Sequence, residues 1–278
     1  MNPSDASCPR GEVRMSAAHA TLTGDEASGL VILCDHASNA LPPEYGSLGM
    51  PPHLLGRHIN WDIGAEGVAR ALALALCAPA VFTRYSRLLI DCNRGLDDPT
   101  LIMRISDGAV IPGNRSLSDE ERHRRIDMFY APYHAEIRRV IDAGLAAGKP
   151  PVIVSIHSFI DVWSGVQRPW HCGVLWDKDP RLAETLLQGL SRCEGNIVGD
   201  NEPYTGRLRG DCLWQHGTKR GLAHAIIELR QDLIATEVGQ QFWAERIAAI
   251  VGAAMRDPVR RKALQTVQHY GSHTGGIL

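Results

Sequence analysis

No stretch of the chain is long and apolar enough to span a bilayer. The best candidate, residues 65–79, is interrupted by Glu66 and Arg70 and falls short of the ~20 apolar residues a spanning helix needs. Neither sign of charge dominates. With 29 basic and 31 acidic side chains the formal net charge is −2, so no global field favours nucleic acid or anionic lipid. The basic group "ERHRR" (121–125) has acids beside it and reads as a solvated helix face. Cysteine is present but unpatterned: seven residues at irregular spacing, without a CxxC pair. That excludes a small disulfide-rich scaffold and points to a reducing, cytoplasmic setting. Residues 1–28 lack the continuous apolar core of a signal peptide and read as a polar, mobile leader.

Repeats, low-complexity segments and dividing linkers are also missing. What remains is one large domain, expected over residues 29–257 and followed by a peripheral tail at 258–278. Within it, short aliphatic runs occur at "LVILC" (30–34), "AVFT" (80–83), "RLLID" (87–91), "PVIVSI" (151–156), "CGVLW" (172–176) and "HAIIEL" (224–229). Such runs read as strands buried on both faces of a largely parallel sheet. Amphipathic helices are predicted between them: from Asp62, over 118–147 with a Ser118–Glu121 capping box, over 180–192, and over 239–255. Alternating strands and helices specify α/β architecture, a three-layer αβα sandwich around a largely parallel sheet.

Four of the predicted strands end in chemically active residues: "CDHASN" (34–39), "DCNRG" (91–95), "SIHS" (155–158) and "IELRQD" (227–232). Ligand sites of open α/β sheets gather at the carboxyl ends of strands, so these four ends are expected to share one site. His36 and His157 are candidate metal ligands, imidazole being the commonest one. The third ligand stays open. Asp62 is the leading candidate, with an N-cap as its ordinary role. Asp35 alternates away from His36, and Asn39 is a poor zinc ligand. Glu228, closing an apolar strand, is the candidate general base; a salt bridge to Arg230 is its ordinary role and is compatible with the first, since a neighbouring cation only limits the upward pKa shift. Asn93 and Arg94 suit substrate recognition and oxyanion stabilisation, against a structural pairing of Arg94 with Asp91 or Asp97. Tyr204 and Arg207, with Arg209, lie in a glycine- and arginine-rich loop that can close over an acidic substrate. His134 and His216 are candidates to support the site from outside.

These residues carry a resemblance. His36, "DCNR" (91–94), "SIHS" (155–158) and "ELR" (228–230), in that order, resemble the N-formylglutamate amidohydrolase family, as do "WDIGA" (61–65) and "HGTKRGLAHAIIELRQDL" (216–233). The likeness runs over residues 29–255. More distantly the chain resembles zinc carboxypeptidases and the aspartoacylase and succinylglutamate desuccinylase group. The resemblance implies a mixed eight-stranded sheet of the phosphorylase/hydrolase-like type. It also implies a zinc-activated water, metal ligation by His36 and His157, substrate binding by Asn93 and Arg94, and Glu228 as base. Two departures mark a divergent branch: Asn39 stands where the distant group has a glutamate ligand, and "HAS" replaces the His-Ser-Gly common among formylglutamate deformylases.

The expected activity is therefore metal-dependent removal of an N-acyl group, formyl by family analogy, from an acidic amino acid such as glutamate. A small-molecule substrate is implied, with no nucleic acid or membrane partner, and the pattern specifies no oligomer. Two other readings compete: a cysteine amidase using Cys34 with His36, and a non-catalytic anion-binding protein on the same fold. Chelation decides between the first two. Metal-dependent catalysis predicts loss of activity on thorough chelation and recovery with zinc; activity that survives chelation but dies on alkylation would assign it to the thiol.

Overall fold

The computed structural model describes residues 11–275. Its centre is a mixed sheet of eight strands: β1 (Val13–Met15), β2 (His19–Leu22), β3 (Leu30–Cys34), β4 (Ala80–Thr83), β5 (Val152–Phe159), β6 (Cys172–Leu175), β7 (Val198–Asp200) and β8 (His224–Arg230). The spatial order is β1-β2-β4-β3-β5-β8-β6-β7. The inner four, β4-β3-β5-β8, pair in parallel, while β1, β2 and β6 join their inner neighbours antiparallel. β3, β4 and most of β5 and β8 are buried, as continuous aliphatic runs require when helices cover both faces.

Alternation along the strands divides the core into two layers. Ile32, Cys34, Phe82, Val154, Ile156 and Ile227 pack on one face against Val68, Leu72, Leu186 and Ile247 of α1 (Ala65–Leu76), α4 (Pro180–Ser191) and α6 (Glu237–Arg256). Val31, Leu33, Val81, Ile153 and Ile226 face the other way. They meet Tyr133 and Ile137 of α3 (Ala131–Ala146) and Leu213 of α5 (Cys212–His216). The helix predicted over 118–147 is α2 (Asp119–Arg125), a π-helical segment (Ile126–Tyr130) and α3 in succession, begun by Ser118 Oγ accepting from Glu121 N–H. Pro132 explains the π-segment, since it has no N–H for the preceding turn.

Four expectations are corrected. "RLLID" is a chain of turns, not a strand: Ser86 Oγ caps Leu88 N–H, and Leu89 N–H donates to Ser86 O. The leader is structural over the part that is described, because residues 13–22 build β1 and β2 and bury Ala20 and Leu22; residues 1–10 lie outside the described residues. The tail is stitched to the body through α7 (Pro258–Leu264), with Leu264 in the core and Gln268 N–H on Gly221 O. Arg125, read as part of a solvated face, is 2% exposed and donates to Leu89 O and Asn114 Oδ1.

The ordered leader makes a prediction. Deleting residues 1–23 removes β2 and bares the edge of β4, so stability should fall by roughly 2 kcal/mol or more, the worth of burying Leu22 alone. Urea unfolding of the truncated protein checks this; an unchanged midpoint would mean the leader is dispensable.

Candidate active site

Eight of the sequence-predicted site residues line one cavity of about 470 Å³: His36, Asp62, Asn93, Arg94, His157, Tyr204, Arg207 and Glu228. It opens where β3, β5 and β8 end, on the face that carries α3 and α5. His36 sits in the turn after β3, a turn held by Thr83 Oγ1, which donates to Asp35 O and accepts from Ala37 N–H. His157 and Glu228 are direct neighbours across the parallel β5–β8 pair. Asp62 is tied to the first turn by its N–H on His36 O. It does not cap α1; Gly64 stands at that N-cap, with φ 80°, where a Cβ would lie 2.2 Å from Ile234 O. Only glycine suits that turn.

Ligand atoms of His36, Asp62 and His157 all lie within 4.8 Å of one another, and all three side chains are buried. Asp62 Oδ2 is 3.3 Å from His36 Nδ1 and 2.9 Å from His157 Nδ1, and accepts from Ser158 N–H. The other nitrogen of each imidazole meets a separate carboxylate: His36 Nε2 lies 2.7 Å from Asp91 Oδ1, and His157 Nε2 lies 3.1 Å from Asp35 Oδ2. These acids are themselves saturated with donors. Asp35 accepts from Tyr133 Oη (2.6 Å) and Ser155 Oγ (3.0 Å), and Asp91 from Asn93 N–H and the Arg87 guanidinium. Burial alone would raise the Asp35 pKa, but the bonds from His157 and Tyr133 override it and hold it well below the carboxylate range. Asp35 thus stands behind His157, outside the ligand cluster. Asn39 is exposed and donates to Leu55 O, away from the cavity.

Glu228 is 6% exposed, and its Oε2 has no hydrogen-bond partner. Burial pushes its pKa up to about 7. Arg230 leaves it alone, pairing with Asp232 at 2.7 Å. A second buried acid on the wall, Asp211, is likewise raised to about 7 by burial while its Oδ1 caps α5 at Trp214 N–H. Arg94 bonds only neutral groups, Thr100 Oγ1 and Asn93 O, so neither Asp91 nor Asp97 claims it. Asn93 gives its amide oxygen to Cys212 N–H, which leaves the amide nitrogen as its free donor. At the mouth, the Tyr204 hydroxyl accepts from Arg168, whose guanidinium lies 5.0 Å over the Tyr204 ring.

Sequence reasoning missed Arg87, Asp211, Tyr133 and Ser155. Asp91 stood in a quoted motif but was weighed only as a partner for Arg94. Arg209 is absent from the cavity wall. His134 and His216 bond each other at 2.8 Å, while His134 Nε2 meets Cys92 O at 3.0 Å. With Cys212 they form a second compact group, but a stacked N–H···N pair anchored on a carbonyl already uses its facing lone pair. Cys34 belongs to the opposite core layer, beside α1 and α6. Burial, reinforced by the charges of Asp62 and Asp35, pushes its thiol well above the ordinary cysteine range, so the cysteine-nucleophile reading fails.

The architecture and the cleft define an α/β protein whose candidate site residues converge at strand carboxyl ends. The chain belongs to the N-formylglutamate amidohydrolase family, whose model matches residues 28–235; it is accordingly a hydrolase of a linear amide C–N bond. An N-formylglutamate deformylase of Pseudomonas putida is 27% identical over 191 residues, 62% of this chain and 70% of that protein. The crystal structure of gene product Atu2144 from Agrobacterium tumefaciens is 36% identical with a TM-score of 0.81, covering 86% of this chain and 95% of that one. An N-formylglutamate amidohydrolase from Ralstonia eutropha shares the fold at 22% identity and a TM-score of 0.62, over 86% and 99% of the two chains. Among the described residues, no helix is long and apolar enough to cross a membrane.

The placement of Cys34 yields a direct check. Cys34→Ala should leave kcat/KM essentially unchanged; loss of turnover in a folded variant would restore the thiol as a candidate nucleophile.

Proposed function

We propose that this protein is a divalent-metal-dependent amidohydrolase that removes the formyl group from an N-formyl acidic amino acid, N-formyl-L-glutamate or a close analogue. The observation that carries the reading is the convergence of His36 Nδ1 and His157 Nδ1 on Asp62 Oδ2, at 3.3 and 2.9 Å, within a buried group whose ligand atoms all lie within 4.8 Å of one another. With Nε2–H donating to Asp91 and Asp35, the neutral imidazoles would present both Nδ1 lone pairs to a cation held there. Acidic side chains surround that space: Asp35, Asp62 and Asp91 are buried there, and Arg87 pairs with Asp91 and lies 3.7 Å from Asp62. Burial would lower the His157 pKa, but its bonds to Asp35 and Asp62 raise it well above normal, so the pocket favours positive charge at this position.

Two imidazoles and one carboxylate are the donor set of many hydrolytic zinc centres, which keep a further position open. His36, His157 and Asp62 would hold the ion, Asp62 supplying the acid that Asn39 does not. A zinc ion bound there would polarise the scissile carbonyl and acidify the attacking water. Glu228 takes the proton from that water as its oxygen bonds the formyl carbon, then passes it to the amide nitrogen as the C–N bond breaks. Formate and the free amino acid result. Arg94 and Arg207 line the cavity and form no salt bridge among the described residues, which suits a substrate with two carboxylates. Asn93 orients the acyl group, and Tyr204 covers the mouth.

A base must be ionised to act. Below its pKa Glu228 is protonated and idle, so kcat/KM should rise with pH along an acid limb at or below about 7, a bound dication pulling the limb downward. Glu228→Gln should cost roughly a hundred- to ten-thousand-fold in turnover and erase that limb. Wild-type turnover of N-formyl-L-glutamate by Glu228→Gln with zinc present would remove Glu228 from the mechanism.

A further inference from the structure

The turn at residues 86–90 is bound on both sides. Arg87 N–H and Ser86 Oγ both donate to Asn60 O, in the segment leading to Asp62. From the opposite side, buried Asn114 and Arg125 donate to Leu88 O and Leu89 O. The Arg87 backbone is therefore fixed relative to Asp62, and its side chain reaches two acids. Nε and Nη2 both donate to Asp91 Oδ2, at 3.1 and 2.7 Å, while Nη1 lies 3.7 Å from Asp62 Oδ1.

This guanidinium divides the work of four carboxylate oxygens. It occupies Oδ2 of Asp91, so Oδ1 is left for His36 Nε2 and Asn93 N–H. It attracts Oδ1 of Asp62, so Oδ2 is left facing His36 Nδ1 and His157 Nδ1. We propose that Arg87 is a positioning residue: through Asp91 and Asp62 it sets which nitrogen of His36 and which single oxygen of Asp62 face the ion-binding space. The inference rests on the metal-site reading above. Planarity matters to the role, because a lysine ammonium carries charge without the rigid fork that serves two acids at once. Arg87 also touches the cavity, so the rival role is substrate-anion binding; Arg94 and Arg207, which line the same cavity and form no salt bridge among the described residues, suit that role better.

The sign of one measurement separates positioning from charge. Arg87 is a cation beside a cation site, so simple Coulomb repulsion predicts that Arg87→Gln tightens metal binding. Positioning predicts the opposite, a loss of roughly 10–100-fold, the usual effect of removing a group that orients metal ligands. The experiment is competition of Zn²⁺ against a chromophoric chelator on the full-length wild type, Arg87→Gln and Arg87→Lys. Co²⁺ absorption spectra report ligand geometry, and circular dichroism reports folding. Weakened Zn²⁺ binding with an altered Co²⁺ spectrum supports the proposal. Tightened or unchanged Zn²⁺ affinity in folded Arg87→Gln overturns it, as does a raised KM with metal affinity intact. Should Arg87→Gln not fold, Arg87→Lys decides alone: it keeps the charge and loses the fork, and unchanged Zn²⁺ affinity there overturns the proposal. A wild type that binds neither Zn²⁺ nor Co²⁺ would instead bring down the metal-site reading, whereas a metal-binding wild type with insensitive variants sinks the Arg87 role alone.

Discussion

Two buried carboxylate–imidazole contacts govern the cavity: His36 with Asp91 and His157 with Asp35. Each uses the far nitrogen of a histidine and so dictates what the near nitrogen can do. Buried carboxylates are costly unless donors surround them, and much of the neighbouring structure serves that need. Tyr133 from α3, Ser155 from β5, the Asn93 backbone and Arg87 all point at these two acids. The helix face that packs on the sheet is therefore partly polar by design, with Tyr133 fully buried yet hydrogen-bonded. Such bonds orient the near nitrogens toward Asp62.

The wiring is crossed. Asp35 precedes His36 in sequence but serves His157, while His36 is served from fifty-five residues away by Asp91. Strand alternation explains the crossing. Cys34 faces α1 and α6, so Asp35 turns to the α3 side, where Ser155 and His157 also project from the neighbouring β5. Parallel pairing then places Glu228 beside His157 on the same face. Three strand ends in register thus supply an imidazole, a buried acid and an unpaired glutamate to one space. A one-residue slip in β8 would turn Glu228 into the opposite layer.

Much of this was legible from residue order. Aliphatic runs marked five of the six expected strands correctly, because double burial leaves a signal that does not depend on partners. Polar residues abutting those runs marked His36, His157 and Glu228 for the same reason. "RLLID" misled because an apolar run of five is also what a tightly packed turn needs when both sides are buried. β1 and β2 escaped because short edge strands carry too few residues for a period to show. Arg87 and Tyr133 left no local sign: one lies in the misread turn, and the other reads as an ordinary core aromatic on a helix.

By itself the sequence determined the α/β class, the direction of the central strands and the set of side chains delivered to their carboxyl ends. Those follow from periodicity and chain order, which are local. Only the tertiary structure decided that Asp62 rather than Asn39 or Asp35 meets the two imidazoles, that Cys34 faces away, and that Glu228 lacks a partner while Arg230 has one. These are statements about which groups share a small buried volume. That depends on strand register and on turns between residues far apart in the chain, and distances of that kind are not encoded in any single stretch of sequence.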